Sequence, residues 1–162
     1  MFKLEKSSKE ILYSESDAKL CEDFSQAGFG FVIISKRLFH PLEAAYLEKM
    51  GKSRFAPKAA PTEKSAGRDF GFALAAYSRI RATGRIVRPF IKQTHYFRVY
   101  APGVGREAGR PSQLIALLPG EFPSPKTISD EVKTAHLSRL DLIIACGTEK
   151  EMQFYKISSF NF

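Results

Sequence analysis

Hydrophobic and polar positions divide this chain into short apolar runs, helical stripes and polar breaks. FGFVII, residues 29–34, is a continuous apolar run of the length expected for a buried strand. After SKRLFHP comes LEAAYLEKM, where Leu42, Tyr46 and Leu47 recur at helical spacing. Pro41 suits the first turn of that helix and Gly51 its stop. GKSRFAPKAAPTEKSAGR, residues 51–68, breaks every period and predicts a mobile loop or linker. DFGFALAAYSRIRATG, residues 69–84, predicts a helix with Asp69 as N-cap and Gly84 beyond its end.

IVRPFIK and THYFRVYA then read as two strands, APGVGREAGRP as a Gly/Pro loop and SQLIALLP as a short apolar strand. Ser129 to Leu140, SDEVKTAHLSRL, predicts a helix capped by Ser129, with Val132, His136 and Leu140 on one face. DLIIACG and MQFYKISSF close the chain as strands on either side of GTEKE. The order implies an α/β (α+β) fold in two parts. A small mixed N-terminal domain occupies residues 1–68 and ends in the 51–68 linker; a second domain, a central mixed sheet flanked by helices, occupies 69–162.

Composition narrows the class. Hydrophobic residues make up 44% of the 162, with 14 Phe and 6 Tyr, enough for a packed core. No run reaches the roughly 18 apolar residues of a membrane helix, and the N-terminal stretch MFKLEKSSKEILYSESDAKL has no apolar secretory segment. Cys21 and Cys146 match no metal-site spacing, so a reduced cytoplasmic protein without membrane association, metal or cofactor is expected.

The charge is concentrated. Arg79, Arg81, Arg85, Arg88, Lys92, Arg98, Arg106 and Arg110 face a single acid, Glu107, across one fifth of the chain, so this segment carries seven of the eight net positive charges. Phe90, Tyr96, Phe97 and Tyr100 are interleaved. Basic residues with aromatic neighbours form the footprint of a nucleic-acid face; a merely solvated basic surface is the plainer alternative.

Several segments together resemble the archaeal tRNA-intron (splicing) endonuclease family. FGFVIISKRLFHPLEAAYLEKMG is similar to the end of that family's N-terminal domain, where a glycine-bearing strand leads into a HPLEAAYL helix. FRVYAPG resembles its FRVY strand, TAHLSRLDLIIA its helix–strand junction and FYKISSF its terminal strand. The likeness runs in order over about residues 26–160. It implies that the second domain is endonuclease-like. In this family RNA is cut by its own 2′-hydroxyl, leaving a 2′,3′-cyclic phosphate and a 5′-hydroxyl. A tyrosine acts as base, a histidine as acid, a lysine stabilises the transition state, and no metal is needed.

Carried over residue by residue, the tyrosine falls on Tyr100, the histidine position on Arg110 or Pro111, and the lysine position on Leu140. Arginine and proline cannot donate a proton near neutral pH, and leucine has no charge. Losing a general acid costs about 10²–10⁴ in rate, and losing a preorganised charge contact about 10²–10³. His95, Lys92, Lys133 and His136 are conceivable substitutes, but alternation along the strand sets His95 on the face opposite Tyr100. His136 reads as a packed or capping histidine.

The resemblance therefore implies a structural subunit, inactive on its own, in a tetramer of two catalytic and two structural chains that acts on precursor tRNA at bulge–helix–bulge motifs. Arg88, Lys92, Arg98, Arg106, Arg110 and Lys133 are the expected basic, RNA-holding face, with Lys133 standing where active chains stack an arginine on a bulge base. Phe154, Ile157 and Phe160 on the last strand, and Glu149 and Glu151 in GTEKE, are the expected subunit contacts. By themselves these would be an ordinary final strand and a polar hairpin turn. Two rival readings are an active metal-independent endonuclease with a site rearranged around Tyr100, using Lys92 or His95, and a stand-alone RNA-binding module.

Overall fold

A computed structural model of the chain describes residues 2–6, 13–15, 24, 26–33, 36–55, 69–91, 93–101 and 109–158. They fall into two units, and the chain passes from one to the other within a helix: the described residues up to Ser78 belong to the first and those from Arg79 to the second. Both units are mixed α/β.

The first unit contains β1 (Phe2–Lys6), β2 (Tyr13–Glu15), β3 (Phe31–Ile33), β4 (Lys36–Phe39), helix α1 (Pro41–Lys49) and β5 (Ser53–Phe55). The strands form one sheet in the order β3-β4-β2-β1-β5, parallel between β1 and β5 and antiparallel elsewhere. Helix α1 starts through side-chain chemistry. His40 Nδ1 accepts the Leu42 N–H at 3.2 Å, and Glu43 Oε2 accepts the His40 N–H at 2.9 Å, so two otherwise orphaned donors are satisfied reciprocally. Glu43 Oε2 also takes the Gly30 N–H at 3.2 Å. Gly30 has φ +61°, and a Cβ there would lie 2.7 Å from the Leu38 carbonyl, so this approach requires glycine.

Two strands of this unit differ from the sequence expectation. SKRLFHP contains β4, and Ser53–Phe55, expected within the mobile linker, is a strand because its backbone pairs with β1 from Phe2↔Ser53 to Leu4↔Phe55. The remainder of the linker, 56–68, lies outside the described residues, and the expected boundary at residue 68 lies there too.

Helix α2 (Phe70–Ala82) ends before Gly84, at φ +79°, as its sequence implies. Then come β6 (Val87–Pro89), β7 (Tyr96–Val99), β8 (Gln113–Pro119), helix α3 (Pro125–Ser138), β9 (Asp141–Gly147) and β10 (Met152–Ile157). The sheet order is β10-β9-β8-β7-β6, parallel only between β8 and β9, where α3 makes the crossover. Leu114, Ile115, Ala116 and Leu117 are all buried, which explains the unbroken apolar run of this central strand. One face of the sheet, with Tyr96, Leu114, Ala116, Leu142, Ile144 and Cys146, packs on Ala135, Ile128 and Val132 of α3.

Helix α3 corrects one expectation. Its cap is Ser124, not Ser129: Ser124 Oγ accepts the Thr127 N–H at 3.2 Å and Pro125 occupies the first helical position, where its missing N–H costs nothing. Ser129 lies inside the helix. The buried position near the far end is Ala135, whereas His136, expected to pack or cap, is exposed. Arg139 closes the helix in the left-handed region, φ 54°, and Leu140 lies beyond it. No helix among the described residues is long and apolar enough to cross a membrane.

Candidate functional site

At one end of the second sheet, β7, β8 and β9 converge. Gln113 pairs with Val99 on one side and with Asp141 on the other. One residue back, the Ser112 N–H donates to the Val99 carbonyl at 2.9 Å while the Ser112 carbonyl accepts the Asp141 N–H at 3.1 Å. The Tyr100 N–H donates to the Ile86 carbonyl at 3.0 Å. Tyr100, Pro111 and Leu140, far apart in sequence, therefore lie at the same end of three adjacent strands. Tyr100 is half-buried, Arg110 is exposed, and Leu140 leans on the core beneath α3. Positive charge is kept here by Arg85, whose Nη1 donates to Gln113 Oε1 at 2.7 Å, and by Arg81, whose Nη1 reaches the Arg85 carbonyl at 3.4 Å. Guanidinium groups attract phosphate but hold their protons at any physiological pH.

His95 lies before the other end of β7. Five residues of extended chain separate it from Tyr100, about 17 Å at the usual strand rise. Its ring rests on Tyr96, centroids 4.0 Å apart. Lys92 lies outside the described residues, as do Arg106 and Phe160.

Below the sheet end, Val132, His136, Arg139, Leu140, Lys156 and Ile157 line most of a cavity of about 450 Å³. Lys156 pairs with Asp141 at 2.9 Å on its rim. Tyr100 is not among its walls. Among the described residues no group of three or more His, Cys, Asp or Glu could hold a metal ion.

The interleaved aromatics are used differently from the sequence expectation. Phe97 is fully buried, and Tyr96, 6% exposed, donates its phenol to Glu131 Oε2 of α3 at 2.6 Å. Burial first, and then this bond, push the Tyr96 hydroxyl up to about 12. Tyr96 ties the sheet to α3, Phe97 is buried on the opposite face of the strand, and both rings are closed to stacking on bases. Arg98 remains exposed, its guanidinium carbon 4.3 Å from the centre of the Phe90 ring. Arg88 is half-buried directly opposite it. Lys133 is exposed and bonded to Asp130 at 3.1 Å.

The turn between β9 and β10 is tied down from a distance that no sequence pattern announces. Arg79 of α2 donates to the carbonyls of Met152 at 3.0 Å, Glu149 at 3.1 Å and Lys150 at 2.8 Å. Thr148 Oγ1 accepts the Glu151 N–H at 3.1 Å, and Gly147, φ +102°, passes so close to the Glu151 carbonyl that no Cβ would fit. The side chains of Glu149 and Glu151 are left exposed on a held backbone.

Strand β10 stands at the sheet edge among the described residues. Because side chains alternate, Phe154 and Ile157 lie on opposite faces: Ile157 packs against the core cluster, whereas Phe154 is 38% exposed. Tyr155, missed in the sequence, is 40% exposed and meets the exposed Phe122 edge-on, centroids 4.9 Å apart. Cys146 is buried in the core cluster, and burial pushes its thiol up, away from the reactive thiolate.

The chain is 25% identical over 161 residues to a tRNA-splicing endonuclease of Pyrococcus horikoshii, covering 93% of this chain and 92% of that protein. It is 28% identical over 155 residues to a tRNA-splicing endonuclease of Thermococcus onnurineus, covering 90% and 89%. No protein-family model matches it. The two likenesses, each spanning about nine tenths of both chains, support kinship with the tRNA-splicing endonuclease family.

Proposed function

We propose that this chain is the non-catalytic structural subunit of a tRNA-splicing endonuclease. It assembles two-plus-two with a catalytic chain of the same family, and the complex removes introns from precursor tRNA at bulge–helix–bulge motifs. The products carry 2′,3′-cyclic phosphate and 5′-hydroxyl ends.

One observation carries the reading: among the described residues, those on the strand ends beside Tyr100 are Pro111, Ser112 and Leu140, and none of these three can protonate a leaving oxygen near neutral pH. A tyrosine base without an acid partner leaves most of the barrier to strand scission in place. The roughly 17 Å along β7 from His95 to Tyr100 also weighs against a site rearranged around that histidine. The retained arginines favour holding RNA, through Arg98, Arg88 and Arg110 together with Lys92, Arg106 and Lys133. The exposed edge of β10, bearing Phe154 and Tyr155, favours pairing with another subunit's strand, and the held turn with Glu149 and Glu151 favours docking into a basic pocket of a neighbouring chain.

The test is cleavage of a bulge–helix–bulge RNA by this chain alone, by a catalytic homologue alone and by the two co-expressed, with masses from light scattering. Activity confined to the mixture, at the mass of four chains, is expected. Cleavage by this chain alone would overturn the reading.

A further inference from the structure

Helix α3 and its cap turn one stripe toward the cavity below the sheet end: Val132, Ala135, His136 and Arg139 follow one another at helical spacing, and all four line it. The sheet supplies Leu142 of β9 and Ile157 of β10, which are direct cross-strand partners. Val132, Leu140 and Ile157 are each half-buried, so the cavity has an apolar floor that the core does not cover. Its volume of about 450 Å³ suits a small organic ligand.

Charge at the mouth is one-sided. Asp141, the carboxylate on these walls, is neutralised by Lys156 at 2.9 Å. His136 and Arg139 are exposed, and among the described residues neither side chain has a hydrogen-bond or ion-pair partner. Arg139 also stands where the backbone enters the left-handed region, φ 54°, a place at which helix ends ordinarily carry glycine. A side chain held in a strained position at the mouth of a cavity points to a use for that side chain.

We infer that this cavity binds a small organic phosphate, its phosphate on Arg139 and His136 and its flat or apolar body against Val132, Leu140 and Ile157. A guanidinium presents a planar fork of N–H donors that matches two oxygens of an oxyanion. A phosphate monoester has three terminal oxygens, so one remains for an imidazole N–H of His136 once the fork is filled. A carboxylate has two and would leave His136 unused. The site is separate from Tyr100, which is not among the walls, and does not depend on RNA binding by the basic face.

Phenyl phosphate, adenosine 5′-monophosphate, adenosine and inorganic phosphate are titrated calorimetrically into the full chain at fixed ionic strength, with amide shifts followed by NMR. The two organic phosphates are expected to bind about tenfold tighter than adenosine or inorganic phosphate, each of which lacks half of the recognised chemistry. Their shifts should centre on Ala135 to Leu142 and on Ile157. Arg139→Gly is expected to weaken phenyl phosphate about tenfold, while the melting temperature of the free protein rises. Affinity and stability then move in opposite directions, which a merely structural arginine would not produce. Arg139→Lys, which keeps the charge and loses the fork, should fall between in affinity. His136→Ala, a change at an exposed position, should also weaken both organic phosphates.

No binding of either organic phosphate, or inorganic phosphate bound as tightly as phenyl phosphate, would overturn the site. Unchanged affinity in Arg139→Gly would overturn it too, as would a fall in melting temperature that tracks the loss of affinity. Shifts centred on Arg98 and Tyr100, with none at Arg139, would place the ligand elsewhere and refute the cavity. A short RNA with a 5′-phosphate that binds at Arg139 more tightly than adenosine 5′-monophosphate would overturn the small-ligand assignment in favour of an RNA end.

Discussion

Tyr96 and Glu131 join the sheet to its covering helix: the phenol on β7 donates to Oε2 in the middle of α3 at 2.6 Å, and both residues are buried. Removing the phenol leaves a carboxylate in the interior without that donor. Tyr96→Phe should lower unfolding free energy by about 1–3 kcal/mol, read as a drop in urea midpoint at unchanged slope. The pair also sets an alkaline limit. The folded-state value, about 12, lies above the ordinary value of 10, so the contribution is complete below pH 10 and is lost as pH rises through 12. The wild-type midpoint should fall between pH 10 and 12, and Tyr96→Phe should flatten that fall.

His40 gives the first unit an acid limit of opposite sign. Burial lowers the folded-state value to about 4 from 6.5, and the neutral ring is required because Nδ1 is the acceptor that caps α1. Between pH 6.5 and 4 the unfolded chain binds a proton that the folded one refuses. Stability is therefore fully present above 6.5 and declines as pH falls toward 4, by about 3 kcal/mol in all. Denaturant midpoints at pH 7, 5.5 and 4.5 check the slope, and His40→Asn, a cap without a titrating group, should remove it.

Arg79 is the fastening of the β9–β10 turn. Arg79→Ala should cost about 1 kcal/mol of global stability and speed amide exchange at Glu151 and its neighbours, with the sheet interior still protected. If the turn docks into another subunit, the variant should also assemble more slowly, since the loop must then be ordered on binding. Unaltered exchange at the turn would contradict the fastening.

Arg139 ends α3 at φ 54°, a conformation in which a side chain is strained and glycine is not. Arg139→Gly should stabilise the protein by about 1 kcal/mol, seen as a higher melting temperature. A lower one would mean that contacts of the guanidinium around the cavity outweigh the backbone strain.

The sequence by itself determined the elements with a strong local code. Helix α1 was legible from Pro41 and the Leu42, Tyr46, Leu47 stripe, α2 from its span before Gly84, and β8 and β9 from unbroken apolar runs. The order of strands around one crossover helix also made the mixed sheet legible, because parallel neighbours need a long connection. Tyr100, Arg110 or Pro111, and Leu140 were legible as positions by likeness to a family; that they lie at one sheet end follows from the strand register.

Tertiary structure alone decided the rest. Ser53–Phe55 is a strand only because β1 runs beside it, since a backbone ladder leaves no trace in side-chain period. Tyr96 and Phe97 are both buried, against the expectation of an aromatic nucleic-acid face: α3 covers Tyr96 and Phe97 is buried on the other side of the strand, which composition cannot forecast. The Arg79 fastening, the Phe122–Tyr155 contact and the opposition of Arg88 to Arg98 each join residues by distance or register. A linear pattern records neither quantity, and both arise only when the chain has closed on itself.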